Sequence, residues 1–209
     1  MGHLLLLRHG QSQWNLDNRF TGWIDVPLSA QGREEAMAAA TLLSEYRLDR
    51  AFTSRLVRAT DTLRIVLAAI GQGQIPIEEN QALNERMYGD LQGLHKEETV
   101  KQYGAQQVEV WRRSYDVRPP GGESLQDTAA RVLPYYEERI HPALEKGDTV
   151  LIVAHGNSLR ALVMHLEHLS PQQIVKLHIP TGALIVYAVD PKGELVRQDR
   201  DETLRASEP

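Results

Sequence analysis

A short apolar run near the start of the chain constrains the fold more than any other stretch. Leu4–Leu7 are four consecutive leucines that stop at Arg8 and His9, just before a glycine. An uninterrupted run of this length is typical of a parallel strand buried on both faces. In open α/β sheets ligands bind outside the carboxyl ends of the strands, so Arg8 and His9 occupy a candidate ligand site. Taken alone, a buried histidine is more often a hydrogen-bonded core group.

A second stretch repeats the pattern far along the chain. Val150–Ala154 are apolar, and His155, Gly156 and a helical pattern follow at once. If the two strands lie side by side, His9 and His155 meet at one edge of the sheet. The helix that starts at Gly156 points its free N–H groups toward the same edge. The repeat therefore favours a nucleophile or a base over two unrelated core histidines.

Strands and helices alternate along the rest of the chain. Further strands are predicted at residues 50–54, 75–78, 183–189 and 194–198, the last two as a hairpin. Helices are predicted at 30–46, from Ser54 to Gly71, as two short segments within 97–115, from Ser124 to 144 with a bend at Pro134, at 159–169 and after Ser170. This order predicts a three-layer α/β fold with a mainly parallel central sheet and helices on both faces.

Length and composition limit the class of protein. A chain of 209 residues with 42% hydrophobic residues predicts one domain over 1–209, with residues 201–209 as a frayed tail. A net charge of −5 argues against nucleic-acid binding. The absence of cysteine excludes disulfides and thiol nucleophiles, and the leucine run is too short for a membrane span or a signal peptide. We therefore expect a cytoplasmic protein without membrane or nucleic-acid partners.

The polar residues of the motifs point to a small anionic ligand. Arg55 and Arg58 fall in the predicted first turn of a helix, where cations are unusual unless they face an anion. Most of the other motif residues are also cations or hydrogen-bond donors: Arg8, His9, Asn15, Glu85, Lys96, Arg112, Arg113 and His155. Arginine forks bind phosphate oxygens in pairs, and no nucleotide-binding glycine motif is present. A phosphorylated metabolite is the expected ligand.

Two of these segments carry a resemblance to a known family. Leu7 to Ser12 resembles the signature of the histidine phosphatase superfamily, and Ala154 to Ser158 resembles its second catalytic segment. Within the superfamily the chain is most similar to the cofactor-dependent phosphoglycerate mutases. Four further stretches support this: 18–23, 83–93, 111–113 and 179–182.

The resemblance implies a role for each matching residue. His9 would carry a phosphoryl group, Glu85 would exchange a proton with the substrate hydroxyl, and His155 would stabilise the phosphoryl group as a cation or a donor, together with Arg8 and Arg58. The other residues implied around the substrate are Ser12, Asn15, Thr21, Gly22, Arg86, Tyr88, Lys96, Arg112, Arg113, Gly156 and Asn157. The implied reaction interconverts 3- and 2-phosphoglycerate in glycolysis and gluconeogenesis, primed by 2,3-bisphosphoglycerate and without a metal.

The chain also departs from the longer members of that family. Only Pro119–Ser124 stands where they carry an insertion that contributes to subunit contacts, which favours a monomer over a dimer. Their longer tail, which resembles a lid, is missing. A less closed site would lose phosphoryl groups to water. A phosphomonoester phosphatase on the same fold is therefore the alternative, and a non-catalytic anion-binding module is a distant third.

Several single residues also allow simpler interpretations. Glu85 with Arg86 could be a surface ion pair, and Arg112 with Arg113 a solvated helix face. His165 and His168 lie three apart, but without an acidic partner motif a metal site there is not expected. Trp14 and Trp111 are expected to be packing residues.

Overall fold

A computed structural model describes residues 2–198, so the predicted frayed tail at 201–209 lies outside the described residues. The strands are β1 (His3–Arg8), β2 (Arg50–Thr53), β3 (Ile77–Glu79), β4 (Val150–Ala154), β5 (Leu184–Val189) and β6 (Leu195–Arg197). The helices are α1 (Gln13–Leu16), α2 (Ala30–Leu43), α3 (Val57–Ala69), α4 (Lys96–Tyr103), α5 (Ala105–Arg113), α6 (Leu125–Tyr135), α7 (His141–Glu145), α8 (Gly156–Leu166) and α9 (Pro171–Ile174).

One six-stranded sheet organises the described residues, in the order β3-β2-β4-β1-β5-β6. The first four of these strands are parallel, and β5 and β6 are antiparallel additions at one end. The leucines of β1 explain its central position, because they alternate between two cores. Leu4 and Leu6 pack with α6 and α8, whereas Leu5 and Leu7 pack with α2 and α3. The prediction of a three-layer, mainly parallel α/β fold is confirmed.

The helix predictions differ from the structure mainly at boundaries. Ser54 was expected to cap the second long helix, but α3 begins at Val57 with Leu56 at its N-cap. Arg55 therefore lies before the helix and is exposed, and it does not line the cavity described below. The prediction that Arg55 faces an anionic ligand is wrong.

The long helix predicted from Ser124 to residue 144 is divided into three parts. After α6, Tyr136–Ile140 form a π-helical turn, and α7 follows. Pro134 lies inside α6, where its missing N–H removes one bond of the helical ladder. The single long helix predicted from Ser124 is thus wrong, and the bend at Pro134 stays a prediction.

No helix within residues 2–198 has both the length and the apolar character that a membrane crossing requires. Whether the full chain of 1–209 forms a single domain stays a prediction.

Candidate active site

Two histidines meet at the carboxyl edge of the sheet because their strands pair in register. Arg8 of β1 lies opposite Ala154 of β4, so His9 and His155 follow at equivalent positions. Their ring centroids are 4.8 Å apart, and the two residues are 2% and 0% exposed. The structure thus brings together the two histidines that the repeated sequence pattern singled out.

A hydrogen bond with its own neighbour's backbone orients His9. Nδ1 lies 2.6 Å from the carbonyl oxygen of Gly10, which can only accept. Nδ1 therefore carries the proton, and Nε2 keeps a free lone pair. The Gly10 N–H in turn donates to Thr62 Oγ1 at 3.1 Å. A side chain at Gly10 would collide with the backbone of Gly32, so only glycine allows this close approach.

Burial and nearby cations keep both imidazoles neutral. Burial is the main cause that lowers the pKa of His9 well below its usual value, and Arg58 and Arg8 lower it further. Burial also dominates the lowering of the pKa of His155, with Arg58 next. An unprotonated imidazole is required of a nitrogen nucleophile. His9 is therefore in the reactive protonation state at neutral pH.

A carboxylate faces the same cavity from the loop before Gly89. Glu85 is buried, and its Oε1 accepts from the Arg86 N–H at 2.8 Å, the Asn157 N–H at 3.1 Å and Asn157 Nδ2 at 3.0 Å. Asn157 lies in the first turn of α8, so the helix N-terminus helps to hold the negative charge. None of these bonds uses Oε2, which leaves that oxygen available for a proton-transfer partner. Glu85 is not part of an exposed surface pair.

Two arginines, Arg58 and the partly buried Arg8, act on His9. Arg58 in the first turn of α3 is 1% exposed and donates to the carbonyls of Gly22 and Ile24. Burial lowers its pKa to about 10, while Glu85 opposes the shift, so it remains charged at neutral pH. Arg8 NH1 donates to the Ile179 carbonyl at 2.5 Å. Two fixed cations therefore lie where negative charge on a phosphoryl group would need compensation.

A cavity of about 200 Å³ connects these groups to solvent. Lys96, Arg112 and Arg113 also line its wall, and burial together with Arg112 lowers the pKa of Lys96. Arg112 and Arg113 are half-buried rather than on a fully solvated helix face. The remaining lining residues that the sequence had singled out are Asn15, Thr21, Gly22, Tyr88, Gly156 and Asn157. One cavity thus holds most of the predicted site.

Three predicted site residues lie behind this wall. Ser12 is the buried N-cap of α1, where its Oγ bonds to the N–H and the side chain of Asn15. Arg86 is fully buried, lies over the Tyr88 ring at 4.6 Å, and donates to Tyr88 Oη and the Arg112 carbonyl. His155 is covered by its neighbours. Ser12 and Arg86 hold lining residues in place rather than lining the cavity themselves.

Sequence reasoning missed several residues that support the site. Ser54 bonds His155, Thr62 bonds Gly10, and Arg160 lines the cavity while its NH1 donates to Asn157 Oδ1 at 3.1 Å. Arg131 and Trp23 both donate to the Glu85 carbonyl. The hydrogen-bond partners of Ser54, Thr62, Arg131 and Trp23 lie 46 to 101 positions away in the sequence. No local sequence pattern could therefore identify these four residues. The helical patterns showed only that Thr62, Arg131 and Arg160 lie on helices.

The donor set of the cavity suits a multiply charged phosphate ester. Arg8 Nε and Thr21 Oγ1 are buried, line the cavity, and have no hydrogen-bond partner among the described residues. Unpaired buried donors of this kind need an acceptor.

Among the described residues, no three His, Asp or Glu side chains cluster as metal ligands. His165 instead bonds Glu137 at 2.9 Å, while Trp111 packs in a buried cluster with Phe20 and Leu91.

A neutral histidine at a strand end shares one cavity with several arginines and a carboxylate. This combination is typical of enzymes that transfer phosphoryl groups through histidine. The chain belongs to the histidine phosphatase superfamily, because the profile of its branch 1 matches residues 4–201. The resemblance in the sequence is thereby confirmed.

Individual relatives refine this placement. The chain is 57% identical over 198 residues to the 2,3-bisphosphoglycerate-dependent phosphoglycerate mutase of Parvibaculum lavamentivorans, covering 94% of each chain. It is also 57% identical to the protein of the same name from Cytophaga hutchinsonii, covering 92% of this chain and 90% of that one. Among solved structures, a mycobacterial glucosyl-3-phosphoglycerate phosphatase superposes with a TM-score of 0.82 at 28% identity, covering 99% and 100% of the two chains.

Proposed function

We propose that this protein is a phosphoglycerate mutase that interconverts 3-phosphoglycerate and 2-phosphoglycerate through a phosphohistidine at His9. The observation that carries the proposal is the content of one cavity, where a neutral His9 and the carboxylate of Glu85 share a wall that also carries seven arginine and lysine side chains. Phosphoglycerate carries both a phosphate and a carboxylate. A cavity whose wall carries Lys96, Arg112 and Arg113 in addition to Arg8 and Arg58 suits a ligand with two anionic groups. The identity to relatives named as mutases supports the same choice.

His9 and Glu85 divide the chemistry between them. His9 Nε2 passes its phosphoryl group to the free hydroxyl oxygen of the substrate, while Glu85 accepts the hydroxyl proton. His9 Nε2 then attacks the phosphorus of the other phosphate, and Glu85 returns the proton to the departing oxygen. His9 is again phosphorylated, and the net change is the position of the phosphate on glycerate.

The remaining residues stabilise charge and hold the ligand. Arg8 and Arg58 balance the charge on the transferring phosphoryl group. The depressed pKa of His155 favours a neutral hydrogen-bond donor over a cation. We assign Asn15, Thr21, Gly22, Tyr88, Lys96, Arg112, Arg113, Gly156 and Asn157 to substrate binding, with Ser12 and Arg86 behind them.

A priming donor is needed to phosphorylate His9 before the first turnover. 2,3-Bisphosphoglycerate supplies that phosphoryl group when bound, and the cationic wall with the unpaired Arg8 Nε and Thr21 Oγ1 suits its charge. Because the arginines supply the positive charge, we propose a reaction that needs no metal. A monomeric state and a cytoplasmic location stay predictions.

A phosphomonoester phosphatase is the second candidate, supported by the structural similarity to a protein named as a phosphatase. One assay separates the two. The protein is incubated with 3-phosphoglycerate, with and without 2,3-bisphosphoglycerate, and both 2-phosphoglycerate and free phosphate are measured. We expect 2,3-bisphosphoglycerate to stimulate the formation of 2-phosphoglycerate. Release of phosphate without formation of 2-phosphoglycerate would overturn the mutase proposal. If neither product forms, the remaining interpretation is a non-catalytic anion-binding module.

The covalent step is tested separately. His9→Ala should abolish the acid-labile phosphoenzyme, because the substitution removes Nε2, the proposed phosphoryl acceptor. His168→Asn is the matched control, since it removes an exposed histidine whose left-handed backbone suits asparagine. Persistent labelling of His9→Ala would place the nucleophile elsewhere.

A further inference from the structure

Arg131 of α6 reaches the backbone that carries Glu85. Its NH1 donates to the carbonyls of Ala82 at 2.7 Å and Asn84 at 3.0 Å, and its NH2 donates to the Glu85 carbonyl at 2.8 Å. The guanidinium also lies 5.4 Å from the ring centroid of Trp23, whose Nε1 donates to the same Glu85 carbonyl. NH1 also reaches the Gln81 carbonyl at 3.5 Å, so one side chain contacts four carbonyls within five residues.

This stretch needs such support because it has little regular structure. Residues 81–83 form one 3-10 turn, and no helix or strand follows until Gly89. Its buried carbonyls therefore lack the ladder partners that a helix or strand would provide. Arginine is suited to the task, since its planar fork offers five donors in fixed directions, whereas lysine offers a single flexible ammonium.

Glu123 fixes Arg131 and binds the chain on the other side of Glu85. Arg131 Nε and NH2 donate to the two carboxylate oxygens of Glu123, each at 2.9 Å. Glu123 Oε2 also accepts from the Met87 N–H at 3.0 Å. Both charged side chains are only 20% exposed. The pair thus holds the backbone before Glu85 through Arg131 and the backbone after it through Glu123.

We infer that Arg131 and Glu123 are positioning residues, which set the location of the Glu85 carboxylate without touching the substrate. The inference rests on the proposed role of Glu85 as the proton carrier. Proton transfer requires the carboxylate within hydrogen-bond reach of the substrate oxygen. A displacement of about 1 Å at a reacting group can cost on the order of a hundredfold in rate. Loosening the backbone under Glu85 therefore slows the steps that need its proton.

The first test compares leaving groups. Arg131→Lys should lower kcat for 3-phosphoglycerate by about tenfold to a hundredfold, with KM within about threefold, because binding residues stay in place. Transfer to His9 from p-nitrophenyl phosphate should change less than about twofold, since p-nitrophenolate leaves without a proton. Arg139→Lys is the matched control, because Arg139 makes a similar paired contact with Glu78 on the surface. It should leave both rates unchanged.

A double-mutant cycle provides the second test. If Arg131 acts through the carboxylate, Arg131→Lys should have less than about a twofold effect on kcat once Glu85→Gln has removed the charge. Thermal unfolding of each variant verifies that it is folded at the assay temperature. Equal slowing with both substrates, or equal slowing in the wild-type and Glu85→Gln backgrounds, would overturn the inference.

These outcomes are separable from failure of the proposed function. If the wild-type protein releases phosphate from 3-phosphoglycerate without forming the isomer, the mutase proposal fails. The leaving-group comparison still decides the role of Arg131 in that case, because hydrolysis of an alkyl phosphate also needs a proton donor.

Discussion

Ser54 Oγ lies 2.7 Å from His155 Nε2, at the end of the strand next to β4. Both residues are fully buried, and Ser54 Oγ also accepts from the Leu56 N–H at 3.2 Å. The hydroxyl therefore ties the orientation of the His155 ring to the backbone just before α3. That helix carries Arg58, so the two groups proposed to stabilise the phosphoryl charge are positioned together.

Ser54→Ala should therefore weaken both stability and catalysis. Leaving a buried polar group unpaired costs about 1–3 kcal/mol, and we expect a loss of stability in that range. The rate of His9 phosphorylation should fall at least tenfold, because His155 loses its fixed orientation. Denaturant unfolding and rapid-quench labelling measure the two effects. Ser44→Ala, at an exposed helix end, is the control; equal effects at both sites would contradict this account.

Acid should destabilise the protein in a window set by the two histidines. Their pKa values are lowered in the folded protein, so the unfolded chain binds more protons once the pH falls below about 6.5. Stability is therefore fully present above that pH and falls as the pH drops toward the folded pKa values. Each histidine contributes up to about 1.4 kcal/mol per pH unit.

Urea unfolding between pH 7.5 and 5 measures this slope above the range in which carboxylates usually titrate. His155→Asn should reduce the dependence of the unfolding free energy on pH by at most the contribution of one histidine, even though the variant is less stable overall. The exposed His168→Asn should leave it unchanged. A slope that is the same in wild type and His155→Asn would show that His155 does not contribute.

The sequence predicted the central strands because a strand that is buried on both faces consists almost entirely of apolar residues. Leu4–Leu7 and Val150–Ala154 could be identified as neighbours from their apolar runs and the histidines that end them. The same pattern predicted that His9 and His155 lie next to each other. Helix boundaries were predicted less well, since the Val57 N–H that begins α3 donates to Asp25 Oδ1, an acceptor 32 positions away that no local pattern marks.

The residues that support the site, such as Arg131, could not be predicted, because their hydrogen-bond partners lie far away in the sequence. The role of Arg131 depends on the carbonyls of a loop about 46 residues earlier in the chain. Carbonyls carry no signature in the sequence, and an arginine on a helix is usually a solvated surface group. Arg86 is a different case, because its place in the motif implies substrate contact, whereas its side chain is fully buried against the Tyr88 ring and does not line the cavity.

Gly10→Ala should abolish activity and strongly reduce stability. A Cβ at this position would overlap the Gly32 carbonyl oxygen, and backbone on both sides leaves no flexible group to yield. The displaced Gly10 carbonyl would also release His9 Nδ1. Gly73→Ala is the control, because a Cβ there meets nothing within 4 Å, and it should be neutral or stabilising by about 0.4–1 kcal/mol. Full activity in Gly10→Ala would refute the proposed constraint.

Arg112 and Arg113 in the cavity wall should distinguish substrates by their carboxylate. If Arg112 and Arg113 bind that group, the double variant Arg112→Gln/Arg113→Gln loses charge-assisted hydrogen bonds worth about 1.5–3 kcal/mol each. KM for 3-phosphoglycerate should rise at least tenfold, whereas binding of glycerol 3-phosphate, which lacks the carboxylate, should change less than threefold. Arg118→Gln, which breaks an exposed ion pair with Asp127, is the control. Equal weakening of both ligands would assign the two arginines to the phosphate instead, and an unchanged KM would exclude them from substrate binding.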